Sequence, residues 1–398
     1  MHAKLIITRV LDCCWSGLHV KRAQALRAAV LALVLGGALS LSGMARRLQG
    51  PVMLRHRIKR MDRLLGNGAL WASRGELYGA VSERWLVDLK QVLIVVDWSD
   101  MTADQKWQLL RASVAVEGRS VTLYEEVHPQ KRYGNPRVHK RFLQRLAQMV
   151  PAGCQVIVMS DAGFRSTWFQ LVAARGWDWI GRIRNRDLLR GADGTWQPAK
   201  SFYPQATTSA RDCGRFTYVR SNPIACRLAL IKQASKGRHR LNLSGKKSTG
   251  QQSTKNARAQ SEPWLLASSI GLAHLSAQAI VKLYGQRMRI EQSFRDLKNQ
   301  RLGMGLSSAR SRGRMRLEML LLLAHLASFV LRLIGEAAKQ EQLELQFQST
   351  NRRQRGEISV MTLARRVIDE GAHWLKMLRP WTAILPLTQQ ARAACSPA

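Results

Sequence analysis

The first part of the chain shows helical hydrophobic spacing. An apolar helix is predicted over 21–35 and ends at Gly36-Gly37, and a short second helix follows with Ser40 or Ser42 as its N-cap. A third helix, in VMLRHRIKRMDRLLGN, has apolar residues at helical intervals and basic residues around them. Three short helices ending in a basic one are typical of a helix-turn-helix module, although a solvated helix on an unrelated bundle fits equally.

From residue 91 the pattern changes to strands. QVLIVVD and CQVIVMS are short apolar runs typical of central strands buried on both faces, and the residues between them predict a hairpin that turns at Glu117-Gly118. The same region is predicted to hold two helices and a further strand, at 137–149, 165–175 and 178–184. Strands that alternate with helices predict a mixed α/β core.

The residues after about 185 interrupt this alternation. Gly, Ser, Asn and Pro with short apolar runs predict an inserted, strand-rich subdomain over about 185–262. Within it, 232–258 has eight Lys/Arg and no acid, so it is either a disordered basic loop or one ordered by phosphates. A long helix is predicted over 276–299. The predicted organisation is a helical domain, an α/β domain containing the insertion and a helical C-terminal region, at 1–88, 89–305 and 306–398.

Two apolar stretches could suggest a membrane protein. Ala28–Ser42 and Met319–Leu331 are both shorter than the ~20 residues of a transmembrane helix. The first is interrupted by glycine and serine, and the second lies within an arginine-rich helix. Both are predicted to be buried helices of a soluble protein, so no membrane partner is expected.

Charge narrows the function. The 398 residues include 63 Lys+Arg against 26 Asp+Glu, for a formal net charge of +37. With 46% hydrophobic residues the chain can bury a core, which excludes a disordered basic tail. A folded protein this positive is expected to bind a polyanion, by default nucleic acid, with an anionic membrane as the competitor. The six cysteines lack zinc-site spacing, so reduced cytosolic thiols are expected.

Two of the few acids stand at matching places. Asp97 closes VLIVVD and Asp161 closes VIVMSD, so both lie at the carboxyl end of a buried strand, where α/β sheets place their active sites. Either aspartate alone is explained at least as well as a structural cap of the next loop. Together, in a chain short of acids, they favour a metal site.

The predicted long helix carries a third carboxylate. On a helical projection, Tyr284, Arg287, Glu291 and Lys298 fall within about 60° of one another. This face suits a site where a carboxylate holds a metal while cations and a hydroxyl bind phosphate oxygens, and a salt-bridged helix fits it equally. Three carboxylates could hold two Mg²⁺ ions about 4 Å apart.

Several other polar residues receive structural interpretations. Asp100 is interpreted as a turn cap, because it points away from Asp97 on a strand. The remaining acids of interest are interpreted as partners of nearby arginines: Glu125, Glu126, Asp296 and Glu318. Core positions are the simplest interpretation of Cys13, Cys14 and His325.

Taken in order, the acids and their neighbours resemble the DDE transposases of bacterial insertion sequences. The specific resemblance is to the fourth insertion-sequence family, whose Y-(2)-R-(3)-E-(6)-K signature matches Tyr284, Arg287, Glu291 and Lys298. VDWSD and SDAGF resemble the family's two aspartate blocks. IKRMDRLLGN, LRASVAVEGRSVTLYE, EPWLLA and FRDLK resemble its cut-and-paste branch, typified by the element of the tetracycline-resistance composite transposon.

The resemblance implies a fold and a site. The fold would be α/β, with an RNase H-like catalytic core interrupted by a β-strand insertion and with a helical DNA-end-binding domain before it. Asp97, Asp161 and Glu291 would be catalytic and would bind two Mg²⁺ or Mn²⁺ ions. The residues expected to contact DNA are Trp264, stacked on a flipped base, together with Tyr284, Arg287, Lys298, Arg57, Lys59 and Arg60.

The implied activity is cut-and-paste transposition, by end hydrolysis, hairpin formation and strand transfer. Expected partners are double-stranded DNA, at terminal inverted repeats and at the target, and a second copy in a synaptic homodimer. No nucleotide cofactor is expected, because SGKKSTG departs from a phosphate-binding loop. The expected location is the bacterial cytoplasm, at the nucleoid. The alternatives are a metal-dependent nuclease or resolvase on the same core, and a helix-turn-helix regulator with structural acids.

Overall fold

The computed structural model describes most of the chain. The described residues are 3–12, 17–86, 88–102, 104–184, 187–233, 250, 262–301, 303–349, 358–378 and 384–396. Of the basic segment predicted over 232–258, all but residues 232, 233 and 250 lie outside this set, as do Cys13 and Cys14.

In the described part of the chain, six helices precede the sheet. They are α1 (Ala3–Leu11), α2 (Val20–Val34), α3 (Leu41–Arg47), α4 (Leu54–Leu65), α5 (Gly68–Ala72) and α6 (Arg74–Leu86). The three predicted helices are confirmed as α2, α3 and α4. Ser40 caps α3, since its hydroxyl accepts a hydrogen bond of 3.0 Å from the amide of Gly43.

A ten-stranded sheet forms the centre of the protein. Its first five strands are β1 (Gln91–Asp100), β2 (Trp107–Val116), β3 (Arg119–Pro129), β4 (Gln155–Ser160) and β5 (Asp178–Ile183). The other five are β6 (Leu188–Arg190), β7 (Trp196–Pro198), β8 (Arg211–Tyr218), β9 (Ile224–Ile231) and β10 (Trp264–Ser268). The order is β3-β2-β1-β4-β5-β10-β9-β8-β6-β7. Strand β4 is parallel to both β1 and β5, and the other neighbours are antiparallel. The mixed α/β prediction is confirmed.

The region after residue 185, which the sequence predicts to be an inserted, strand-rich subdomain, is strand-rich in its described part, with β6 to β9 lying between β5 and β10 in the sequence. Strand β10 pairs with β5 on one side and with β9 on the other, so β6 to β9 continue the same sheet. The physical reason is that β5 would otherwise leave an apolar edge unpaired, and an antiparallel neighbour satisfies its backbone groups.

The predicted long helix over 276–299 is two helices. They are α9 (Ala277–Gly285) and α10 (Met288–Lys298). At their junction the amides of Gln286 and Arg287 bond to carbonyl groups three residues back, at 2.9 and 3.0 Å. Gly285 is a weak helix former, and this tighter turn changes the direction in which the following side chains project.

The remaining helices cover the sheet. Helices α7 (Pro136–Ala147) and α8 (Ser166–Ala173) connect strands, and α11 (Arg314–Gln340) lies after α10. The C-terminal helices are α12 (Glu344–Phe347), α13 (Val360–Asp369), α14 (Ala372–Met377) and α15 (Ile384–Cys395). Among the described residues, α11 alone is long and apolar enough to cross a membrane, but 94% of its apolar window is buried inside the protein. It is a core helix.

Candidate active site

The sheet places Asp97 beside Asp161. Strands β1 and β4 are parallel, and Val96 is the register partner of Ser160. The residue that follows each of these two partners is an aspartate, so Asp97 and Asp161 lie side by side at the same edge of the sheet. Each aspartate also bonds locally, as a turn cap would. Asp97 Oδ1 accepts from the amide of Trp98 at 2.9 Å, and Asp161 Oδ1 accepts from the amide of Gly163 at 2.8 Å. In each carboxylate the other oxygen is not used by these turn contacts.

Arg287 connects Asp97 to the third predicted acid. Its Nη1 lies 3.3 Å from Asp97 Oδ2, and its Nη2 lies 2.7 Å from Glu291 Oε1. Arg287 and Asp97 are largely buried, with 14% and 13% of their side chains exposed, whereas 41% of Glu291 is exposed. The guanidinium of Arg287 therefore joins Asp97 on β1 to Glu291 on α10, although β1 and α10 are far apart in the sequence.

The electrostatics of this cluster leave Asp97 short of positive charge. Burial and the neighbouring Asp161 raise the pKa of Asp97 to about 7, although Arg287 acts in the opposite direction. A carboxyl group with a raised pKa in a cluster of acids is typical of functional sites, because a structural acid is usually paired until its ionised form is stable.

The donor chemistry of the three acids fits a hard divalent cation, since carboxylate oxygens are the ligands that Mg²⁺ prefers. Their present arrangement is not a closed metal site. Within the part of the chain that the structure describes, no three His, Cys, Asp or Glu side chains are grouped closely enough to hold a metal ion. Glu291 instead pairs with Arg287.

Lys298 reaches the same edge from the last turn of α10. Its Nζ donates to Ser99 Oγ at 2.7 Å, and Ser99 lies two residues beyond Asp97 on the same face of β1. Burial lowers the pKa of Lys298, against the charges of Asp100 and Asp97. A neutral hydroxyl thus holds the Lys298 amine next to the carboxylates, and the amine also lies 5.7 Å from the centre of the Phe294 ring.

Tyr284 and Trp264 form an aromatic pair next to the acids. Their ring centroids are 5.2 Å apart at an interplanar angle of 81°. Tyr284 is buried, and burial raises the pKa of its hydroxyl to about 12, so the hydroxyl stays protonated at neutral pH. Trp264 begins β10 and is half-buried.

A comparison with known families decides the class of protein. Residues 88–357, more than half of the 398-residue chain, match a family model described as a transposase DDE domain. The chain belongs to the DDE transposase family. The matched span includes Asp97, Asp161 and Glu291. No curated protein matches the transposase.

The three basic residues predicted to contact DNA on α4 differ in their surroundings. Lys59 and Arg60 are exposed. Arg57 turns inward, where Nε donates to the carbonyl oxygen of Val52 at 2.7 Å and the two Nη atoms donate to the carbonyl oxygens of Leu48 and Gly50. The guanidinium of Arg57 thus organises the loop before α4.

The acids interpreted as structural do have the expected partners. Asp100 accepts hydrogen bonds from Gln105 and Gln108 in the turn after β1. The other four acids pair with arginines as predicted, in the pairs Glu125–Arg111, Glu126–Arg145, Asp296–Arg119 and Glu318–Arg314. His325 is buried against Tyr78, which confirms its core position.

Sequence reasoning missed two residues beside the acids of the transposase. Ser99 could have been found from strand alternation, because it shares a face with Asp97. Tyr133 lies 5.2 Å from Trp98, ring to ring, and a Cβ on Gly163 would come within 3.3 Å of its hydroxyl. Tyr133 is 47% exposed. Tyr133 lies in the connection between β3 and α7, where no sequence pattern indicates a functional residue. It reaches the site because its ring packs against Trp98, which is distant in the sequence.

Proposed function

We propose that this transposase moves an insertion sequence by cut-and-paste transposition, with Asp97, Asp161 and Glu291 as its catalytic carboxylates. The observation that supports this most is the position of Arg287. Its guanidinium joins Asp97 to Glu291, and Asp161 lies beside Asp97, so acids from three elements surround one positive group. The proposal includes membership of the insertion-sequence family with the Y-R-E-K signature and an RNase H-like core interrupted by a β-strand insertion.

Transposases of this family typically use a divalent metal. In this proposal Asp97, Asp161 and Glu291 would hold Mg²⁺ or Mn²⁺, two ions in all, which when bound would activate the attacking oxygen and stabilise the leaving one. Arg287 would then exchange Glu291 for a DNA phosphate. This exchange would release the Glu291 oxygens from Arg287, so that they could join Asp97 and Asp161 in holding the metal.

The other residues of the site would hold the DNA end. Lys298 would bind a phosphate oxygen while Ser99 keeps its amine next to the acids. The protonated hydroxyl of Tyr284 would donate to a second oxygen. Trp264, half-buried on the Tyr284 ring, would stack on a base turned out of the duplex.

The proposed reaction is a series of attacks on phosphodiesters. Water first hydrolyses the transposon end to free a 3′-OH, and this hydroxyl attacks the opposite strand to leave a hairpin. Water opens the hairpin, and the 3′-OH then attacks target DNA. Every step exchanges one phosphate ester bond for another or for a hydroxyl, so no nucleotide hydrolysis is needed.

The proposed partners follow from this reaction. The helical domain over 1–88 would bind terminal inverted repeats, with Lys59 and Arg60 among its contacts. Two ends must be brought together, so a synaptic homodimer is expected. The transposase would act in the bacterial cytoplasm, at the nucleoid. Inverted repeats flanking the reading frame, with short direct repeats outside them, would support the proposal at the level of the genome.

A strand-transfer assay tests the proposal. The full-length transposase is incubated with DNA that carries the element's ends, a target plasmid and Mg²⁺. Joined products support the transposase, cleavage alone would indicate a nuclease or resolvase, and binding alone would indicate a regulator. Asp97→Ala, Asp161→Ala and Glu291→Ala should each abolish cleavage but keep end binding. Near-normal cleavage by any of them would refute the assignment of that carboxylate.

The role of Trp264 has a separate test. Trp264→Ala should impair hairpin formation and leave the first nick less affected, because only the hairpin requires a base to leave the stack. Equal loss of both steps would instead show that Trp264 is a core residue.

A further inference from the structure

An exposed apolar tip lies at the start of the basic helix α4. Val52, Met53 and Leu54 are consecutive, and 51%, 61% and 43% of these residues are exposed. Single exposed hydrophobic residues are common on proteins, but a run of three is unusual because each leaves apolar surface in water that burial would stabilise. Residues 52–54, here named the apolar tip, therefore require an explanation.

Arg57 holds the apolar tip in place. Its Nε donates to the Val52 carbonyl oxygen at 2.7 Å, and its Nη1 donates to the Leu48 carbonyl oxygen at 2.5 Å. Its Nη2 bonds to the carbonyl of Gly50, where φ is +114°, a value that favours glycine. The loop that carries the tip is thus fixed before any partner binds, and a fixed recognition element loses little entropy on binding.

The surface next to the apolar tip is strongly positive. Helix α4 exposes four arginine and lysine side chains, namely Arg55, Lys59, Arg60 and Arg63. Its single acid, Asp62, is paired with Arg316 at 2.6 Å. The opposite side of the helix is buried through Met61, Leu64 and Leu65. The occupant of this surface must carry dense negative charge next to small apolar groups.

We propose that the apolar tip contacts thymine methyl groups in the major groove of the transposon end, while the flanking basic side chains of α4 bind phosphates. The thymine C5-methyl is the apolar feature that the major groove displays between its phosphate backbones. In helices that enter this groove, the N-terminal residues face the base edges, and the tip holds that place in α4. Arg57 acts as a positioning residue. The inference rests on the proposed function, since it specifies how the DNA end is recognised.

Replacement of thymine by deoxyuridine tests the contact, because it removes only the C5-methyl group. Duplexes are first enriched from a randomised pool by the full-length transposase, and each thymine of the enriched duplex is then replaced in turn. Wild-type binding should weaken about fourfold at one or more positions, as expected for the loss of one buried methyl group. Met53→Ser should bind the thymine and uracil duplexes equally.

Two further variants separate a contact made by the apolar tip from a general effect of losing charge or exposed apolar surface. Arg57→Lys keeps the charge but cannot bond three carbonyl groups, so it should also lose discrimination between thymine and uracil. Leu345→Ser removes a comparably exposed apolar residue, 40% exposed, from α12. It should keep the fourfold discrimination of the wild type.

The outcomes distinguish this inference from the proposed function. If the wild type binds an enriched duplex but tolerates uracil at every position, the tip does not contact thymine, whereas recognition of the end stands. If no duplex is enriched, both are refuted. If Met53→Ser keeps thymine discrimination but loses binding to phosphatidylserine vesicles, the apolar tip is a membrane contact and the inference is overturned.

Discussion

Two clusters of carboxylates lie on the same sheet and are built in opposite ways. Where the parallel pairing of β1 with β4 ends, Asp97 has one charged partner at 3.3 Å and faces Asp161, and burial together with this neighbour raises its pKa to about 7. At β3, burial would also raise the pKa of Glu126, but His128 and Arg145 lower it to about 2. Both acids lie in strands of the same sheet, but their electrostatics are opposite.

The difference identifies which acids are structural. The carboxylates of the second cluster are saturated, meaning that several close protein donors bind their oxygens. Glu126 also accepts a hydrogen bond from Tyr124 at 2.8 Å, and Glu125 accepts from Tyr78 and Arg111 at 2.9 and 2.7 Å. A carboxylate held by two or more such donors, one of them a guanidinium within 2.7 Å, is stable in its ionised form and gains little from an added cation. Asp97 is incompletely neutralised, and this is the condition in which an added cation lowers the free energy most.

The largest expected effect is on catalysis. Asp97→Asn should reduce Mg²⁺-dependent cleavage of a labelled transposon end by at least about 10³-fold, or roughly 4 kcal/mol, because it would remove the charge of a carboxylate that we propose as a metal ligand. Its free energy of unfolding in urea should stay within about 1 kcal/mol of the wild type, since the neutral amide would relieve the repulsion from Asp161.

Asp100→Asn is the matched control on the same strand. Asp100 bonds to Gln105 and Gln108 in the turn, so this change should leave cleavage within about twofold of the wild type. Equal loss of cleavage in both variants would remove the distinction between the two kinds of acid.

The next effect concerns stability alone. Glu318 is 1% exposed and accepts from Trp71 Nε1 at 2.6 Å, the amide of Val127 at 3.0 Å and Arg314 Nε at 3.0 Å. Glu318→Ala should lower the free energy of unfolding by about 3–5 kcal/mol, because it removes the acceptor of the buried Val127 amide and leaves the buried Arg74, whose Nη2 lies 3.3 Å from the carboxylate, without this ion-pair partner. Glu318→Gln should cost less, as one oxygen remains to accept. Cleavage per folded molecule should be unchanged, and a specific loss of cleavage would make Glu318 part of the site.

A pH profile should show the low pKa of Glu126. Because the pKa falls from 4.5 in the unfolded chain to about 2 in the fold, the ionised form stabilises the fold above pH 4.5, and this contribution is lost as the pH falls towards 2. The contribution is at most about 3 kcal/mol. Glu126→Gln should lower stability at pH 7 and flatten the profile between pH 4.5 and 2, measured by urea unfolding. A wild-type profile as flat as that of the variant would contradict the assignment.

The smallest effect should come from a partly exposed ion pair. Arg119 and Asp296 are 2.6 Å apart, with 30% and 29% of their side chains exposed. Asp296→Asn should cost less than about 1 kcal/mol of unfolding free energy, because solvent screens the pair. A loss as large as that of Glu318→Ala would show that burial does not separate the two groups of acids.

Much of the fold could be predicted from local sequence. Helices α2 to α4 and strands β1 to β5 follow from hydrophobic period and from turn residues, both of which act over a few positions. The edge that carries Asp97 and Asp161 was also predictable, because parallel strands bring their carboxyl ends to one side of a sheet. The pairing that joins β6 to β10 to β5 in one sheet could not be predicted, because the hydrophobic pattern of a strand does not indicate which distant strand it pairs with.

Arginine shows where local sequence stops being informative. Arg57 and Arg287 both stand on helices rich in basic residues and were both predicted to contact DNA. The structure turns Arg57 to three carbonyl groups of its own loop and places Arg287 between two acids. A long flexible cation takes whichever acceptors the fold brings within reach, so its role is set by tertiary contacts.

The sequence by itself determined the positive charge, the main helices and strands, the places of Asp97 and Asp161 after two apolar runs, and the Tyr-Arg-Glu-Lys spacing that includes Glu291. It did so because composition and periodicity are properties of the chain. Only the tertiary structure decided which acids are saturated and which are not, that α9 and α10 meet at a tight turn before Arg287, and that an apolar tip stands exposed beside basic side chains. These features depend on burial and on partners far away along the chain, and the free energy of a charge depends on what surrounds it.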